Sequence, residues 1–135
     1  MCRFLSLEEI LAVHESQIEL FGGSTGIRDM GLLASALAMP EASFGGQYLH
    51  GNIFEKTAAY LFHVVSNHPF IDGNKRTGMV AALTFLDLNG LELEEGIDDD
   101  LENLVLSVAQ SEADKATNAV FFRKHCVAVK SEQSG

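Results

Sequence analysis

The sequence predicts an all-α fold, a compact single-domain helical bundle of about six helices with room for one short β-hairpin flap. Three observations carry this. Apolar residues recur at helical spacing in one run after another. Ala and Leu are plentiful while Pro occurs only twice. Capping residues, Gly or Pro stand where the runs begin and end.

The elements follow in order. Ser6-Leu7-Glu8-Glu9 is a capping box, in which the Ser6 hydroxyl accepts from the Glu9 amide while the Glu9 carboxylate reaches back. Leu7, Ile10, Leu11, Ile18 and Phe21 then repeat at helical spacing, and Gly22-Gly23 closes the run. Residues 21–28 read as a loop. A second helix starts at or beside Asp29 and runs through Met39, with Leu32, Leu33, Ala36 and Leu37 on its buried side, and Pro40 stops it. Residues 42–52 are irregular and hold Gly45, Gly46 and Gly51, which suits a hairpin, expected here as the flap that docks a target. Residues 53–67 form a helix with Ala58, Ala59, Leu61, Phe62, Val64 and Val65 nearly all round it, so it belongs at the centre of the fold. Pro69 cannot continue it. The next helix covers 74–89, is buried through Met79, Val80, Leu83, Phe85, Leu86 and Leu88, and has Gly90 at the left-handed terminal position. A short extended piece at 91–94 precedes a helix over 98–111 with acids in its first turn, then a last helix over 114–126. No repeat or linker divides the chain, so one domain over residues 1–135 is expected, with a frayed tail at 131–135.

Composition narrows the function. A chain of 135 residues can bury roughly two-thirds of its unfolded surface, enough for a core without staples. Cys2 and Cys126 stand near opposite ends and form no metal knuckle or redox pair, as expected of free thiols in a reducing cytosol. Glu8, Glu9 and Glu15 interrupt the N-terminal apolar residues, so no secretory leader is read there. No apolar run approaches the roughly 20 residues that cross a bilayer. A soluble, cytoplasmic protein without a membrane partner is expected. The net charge of −10 argues against direct binding of nucleic acid, which needs cations on phosphates. Glu92, Glu94, Glu95, Asp98, Asp99, Asp100 and Glu102 read as a solvated acidic face. Against this background Lys75 and Arg76, two of only nine basic residues, are adjacent.

They lie in the stretch His68-Pro69-Phe70-Ile71-Asp72-Gly73-Asn74-Lys75-Arg76-Thr77. Gly73-Asn74 opens a helix, whose first amides lack internal partners and whose dipole is positive, a ready site for phosphate. Gly73 lets the backbone approach a ligand, and Asn74 is a good N-cap that can also donate from its amide. Lys75 and Arg76 add charge beside the same amides, with Thr77 next in line as a nucleotide-binding candidate. Asp72 is the one acid in the stretch and the natural Mg²⁺ ligand, since such sites take one or two carboxylates plus the phosphates. His68 is the candidate general base, imidazole being the side chain that exchanges protons near neutral pH. Phe70 is expected in the core, anchoring the loop. A base, a metal carboxylate and an anion nest suggest transfer of a phosphorus centre to a hydroxyl. Two other patterns are weaker. Phe21-Gly22-Gly23-Ser24-Thr25-Gly26 looks like a phosphate loop but lacks the GK[ST] ending. His50, His63 and His68 lack the spacing of a helical metal pair.

The stretch from His68 to Arg76 resembles the Fic/Doc motif, His-x-Phe-x-(Asp/Glu)-(Gly/Ala)-Asn-(Gly/Lys)-Arg, at every position. Gly26-Ile27-Arg28-Asp29, Pro40, Phe85-Leu86 and Asn89-Gly90 also resemble the Doc (death-on-curing) toxin branch, and the likeness runs from about Phe4 to Cys126. The resemblance implies the Fic helical fold, His68 as catalytic base, Asp72 as Mg²⁺ ligand, Phe70 as buried anchor, and Gly73, Asn74 and Arg76 as the phosphate loop. Lys75 stands where adenylyltransferases of the family have Gly, and Met79 where they have a second Arg. The Doc branch carries this Lys, which implies an ATP-dependent kinase acting on elongation factor Tu and halting translation. The alternatives are AMP transfer to a protein hydroxyl and a catalytically silent antitoxin-binding protein. The family's inhibitory (Ser/Thr)-x-x-x-Glu-(Gly/Asn) segment is not found, because Ser6, Ser16 and Ser107 are followed four positions later by Ile10, Leu20 and Ser111. Control by a separate antitoxin, whose C-terminal segment docks on the toxin, is therefore the implied partnership.

Overall fold

Ser6 starts the first helix as its side chains dictate: the Glu9 amide donates to Ser6 Oγ at 3.1 Å and the Ser6 amide to Glu9 Oε1 at 2.9 Å. This computed structural model describes residues 2–129, so the frayed tail expected at 131–135 lies outside the described residues. Six α-helices follow in order: α1 (Leu7–Phe21), α2 (Met30–Ala38), α3 (Ile53–Asn67), α4 (Asn74–Leu88), α5 (Asp98–Ala109) and α6 (Lys115–His125). Asp29, Asn52 and Asp114 cap α2, α3 and α6, each side chain accepting an amide three residues on.

The apolar sequence of α3 has the consequence expected of it. Ala58, Ala59, Tyr60, Leu61 and Val64 are fully buried, and α2, α4, α5 and α6 all pack against this helix. Two apolar clusters result. One joins α3 and α4 to α5 and α6 through Leu61, Val65, Leu86, Val105 and Phe122. The other joins them to α1 and α2 through Ile10, Leu33, Tyr60, Val64, Phe70 and Phe85. Helices α3 and α4 approach closely at Gly78, where a β-carbon would stand 2.7 Å from Val65 Cγ2. The Tyr60 hydroxyl accepts from the Leu5 amide at 2.9 Å, and burial raises its phenol pKa.

The hairpin expected within 42–52 is present. Strands β1 (Ser43–Phe44) and β2 (Gln47–Tyr48) pair antiparallel, Ser43 with Tyr48 and Phe44 with Gln47. Gly45 and Gly46 make the turn with φ of +60° and +82°, the two left-handed residues a tight hairpin needs. The extended piece at 91–94 is β3 (Leu91–Leu93), and it has a partner the sequence did not announce: β4 (Cys126–Ala128). The chain therefore leaves α6 one residue early, because Cys126 is recruited into the sheet opposite Leu93. Pro40 does not end the second helical segment outright. It sits within a 3-10 turn over Met39–Glu41, near whose start its missing N–H costs nothing. Helix α5 closes at Ala109, before Ser111 takes a left-handed conformation. Among the described residues no helix is long and apolar enough to cross a membrane.

Candidate active site

The connection between α3 and α4 carries the motif, and its backbone is tied on both sides. Helix α3 ends on His68, whose φ of 52° and ψ of 51° are left-handed. Arg28 Nε donates to the His68 carbonyl at 2.6 Å and Arg28 Nη2 to the Asn67 carbonyl at 3.0 Å. The amides of Arg28 and Asp29 both donate to the Pro69 carbonyl, at 2.7 and 3.0 Å, and the Ile71 amide donates to Gly26 at 3.1 Å. Phe70 is fully buried, and its ring stacks on His14 with centroids 3.9 Å apart and planes 6° from parallel. His14 Nε2 lies 2.8 Å from the Asp72 carbonyl, which only accepts, so this nitrogen carries the proton.

Asn74 closes the loop from inside. Its Oδ1 accepts from the Phe70 amide at 2.9 Å and its Nδ2 donates to the Phe70 carbonyl at 3.0 Å. The sequence reading made Asn74 the N-cap and a donor to phosphate. The cap is instead Gly73, left-handed at φ 75°, and the Asn74 side chain is spent on the loop. What α4 offers a ligand is its first-turn amides at Asn74, Lys75 and Arg76, with the dipole behind them, while the Thr77 amide is already bonded to the Gly73 carbonyl at 2.9 Å.

An open cleft of about 310 Å³ is lined by His68, Ile71, Asp72, Gly73, Asn74, Lys75 and Arg76. His68, Asp72, Lys75 and Arg76 are exposed. The Asp72 carboxylate is aimed by two amides, Gly73 to Oδ1 at 3.0 Å and Ser24 to Oδ2 at 3.2 Å. Gly23 makes room for it, since a β-carbon there would stand 2.8 Å from Oδ2. Arg76 lies over the Phe21 ring, 4.1 Å from its centroid. Phe70 and Thr77 are buried beneath the cleft and do not line it. A groove of about 250 Å³ between α4 and α5 shares Lys75 and Arg76 with the cleft and adds Met79, Glu102, Val105 and Leu106.

His14, Gly23, Ser24 and Arg28 were not singled out from the sequence as parts of this site. A signal existed for three of them. The 21–26 segment has phosphate-loop composition, and Arg28 stands in the Gly-Ile-Arg-Asp string, but neither says which part of the chain it will meet. The three-histidine grouping dissolves. His50 Nε2 and His63 Nε2 lie 3.2 and 3.1 Å from Lys115 Nζ, and both must accept, because an ammonium only donates. Burial first and the Lys115 charge second lower the pKa of both rings, that of His63 to about 4. Among the described residues no three His, Cys, Asp or Glu side chains gather as a metal cluster.

Comparison with known proteins agrees with the motif. The Fic/DOC family model matches residues 4–86. The chain is 38% identical over 115 residues to "Toxin Doc" of Mycolicibacterium smegmatis, covering 84% of this chain and 86% of that protein. It is 30% identical over 122 residues to "Protein kinase doc" of Escherichia phage P1, covering 90% and 94% respectively. With the family model spanning more than half of the chain and both relatives aligned across most of it, the protein belongs to the Fic/DOC family.

Proposed function

We propose that this chain is the toxin of a toxin–antitoxin pair and acts as a protein kinase. It transfers the γ-phosphoryl group of ATP to a hydroxyl on a translation factor, elongation factor Tu first among the candidates, and so halts translation. The observation that carries this reading is one cleft lined by an exposed imidazole, an exposed carboxylate and the first turn of a helix bearing Lys75 and Arg76. The names of the two relatives, a toxin and a protein kinase, support it.

His68 accepts the proton of the attacking hydroxyl as its oxygen bonds to the γ-phosphorus. The bond from that phosphorus to the β–γ bridging oxygen breaks, and ADP leaves. The amides of Asn74, Lys75 and Arg76 and the two cations hold the phosphate oxygens, so positioning and charge neutralisation supply most of the rate. Asp72 fits Mg²⁺: it is exposed, and two amide bonds leave its oxygens with free lone pairs. A Mg²⁺ ion held there would offset the charge of the polyphosphate. Lys75 fills space where family adenylyltransferases have Gly, which favours phosphoryl over AMP transfer. The working unit is a single domain in the cytoplasm, held in check by an antitoxin segment. The net charge of −10 argues against a direct role for nucleic acid.

The test uses ATP labelled at either the γ- or the α-phosphate, with purified elongation factor Tu and Mg²⁺. Label from the γ-position on the factor is expected. Label from the α-position would replace the kinase with an adenylyltransferase.

A further inference from the structure

His68 holds a backbone conformation that two features oppose. Its own β-carbon disfavours the left-handed region, and the ring of Pro69 pushes the preceding residue towards extended geometry. A residue held there is over-determined by its surroundings. Here the surroundings are one dipeptide. Arg28 and Asp29 send four donors to three successive carbonyls, those of Asn67, His68 and Pro69. Two come from the planar guanidinium fork, whose Nε and Nη2 stand at a fixed spacing that fits both terminal carbonyls of α3, a geometry a rotatable ammonium does not hold as rigidly. These carbonyls have no partner inside the helix and would otherwise turn to water. The ring of His68 has no bond of its own to fix it among the described residues, so its direction is set through the backbone.

We propose that Arg28 is a positioning residue: by bridging the Asn67 and His68 carbonyls it holds His68 left-handed and aims the imidazole into the cleft. The role in turnover rests on the kinase reading above, whereas the backbone claim stands apart from it. Arg28 lies outside the cleft and touches neither phosphate nor hydroxyl in this scheme.

The experiment is R28A and R28K in the full chain, with two readouts. The first is the backbone NMR shifts of His68 against those of Asn74, Lys75 and Arg76. The second is kcat and KM for ATP. In R28A the His68 shifts are expected to leave left-handed values while the α4 shifts stay. A misaimed base then lowers kcat by about 100-fold and leaves KM for ATP within about two-fold. Guanidinium ion added to R28A is expected to restore part of the rate, and R28K to fall between the two. Unchanged His68 shifts in a folded R28A protein would overturn the proposal. So would kcat, KM and Tm failing together without rescue. Should R28A not fold, the same readouts on R28K decide. If the wild-type protein modifies no factor, the kinase reading fails, and the His68 shifts alone still decide whether Arg28 holds the backbone.

Discussion

His63 and His68 stand five positions apart, one on α3 and one at its end, and the protein treats them in opposite ways. His63 sits edge-on to Phe62, 5.2 Å between centroids, and gives its Nε2 lone pair to Lys115. Burial and that neighbouring charge push its pKa down to about 4, so the ring stays neutral and occupied. At His68 the ring faces the cleft, and it is the backbone that is occupied, by Arg28. One residue type therefore serves as a half-buried, hydrogen-bonded polar group and as an exposed base candidate. What separates them is where the bonding capacity is spent: ring nitrogen in one case, carbonyl in the other.

Several substitutions and a change of pH break or sharpen that contrast. The largest effect is expected from H68A, which should cost about 10²–10⁴ in transfer rate and leave Tm in place. H63A should do the reverse, keeping the rate and lowering Tm, so rates and melting curves for the pair decide whether the assignment has been made to the wrong histidine. Next comes F70A. Removing a fully buried ring from under the cleft should cost about 3–5 kcal/mol in urea unfolding. A loss below 1 kcal/mol would show that the Arg28 and Asn74 bonds hold the loop without that anchor.

A smaller effect is expected with pH. The unfolded chain takes up a proton at His63 near pH 6.5, and the folded chain refuses it until about 4. The His63 contribution to stability is therefore present in full above about 6.5, is lost as pH drops towards about 4, and changes no further below, with His50 pulling the same way. Because His63 is only partly buried, the shift is discounted to about 1–2 kcal/mol. Urea midpoints between pH 7 and pH 4 should show the slope, and H63Q, which keeps an acceptor for Lys115 without titrating, should reduce it to what His50 and the carboxylates leave. The smallest effect is R3A. The exposed Arg3–Glu9 pair, 2.8 Å apart, should be worth less than about 1 kcal/mol, a baseline for what a surface bond contributes beside the two histidine sites.

Local chemistry made most helix ends readable. Ser6, Asp29, Asn52 and Asp114 cap through contacts three residues away, which a linear reading can see. The motif cleft was readable for the same reason, since a loop and the helix it opens keep their residues together. What escaped was partnership at a distance. Arg28 meets residues about forty positions on, and Lys115 meets His50 and His63 across more than fifty, distances at which no periodicity survives. Strand β4 was missed likewise, because only its pairing with β3 makes it a strand. Asn74 shows another limit. Asn favours both a cap and a loop staple, and Gly73 decided between them by taking the left-handed capping position, which Asn adopts less freely.

The most direct test of the account is the intact mass of elongation factor Tu after incubation with this protein, ATP and Mg²⁺, with H68A alongside. The account predicts a gain of one phosphate with the wild-type protein and none with H68A. An equal gain with a folded H68A protein would contradict the role given to His68, and a gain of AMP would contradict the reaction itself.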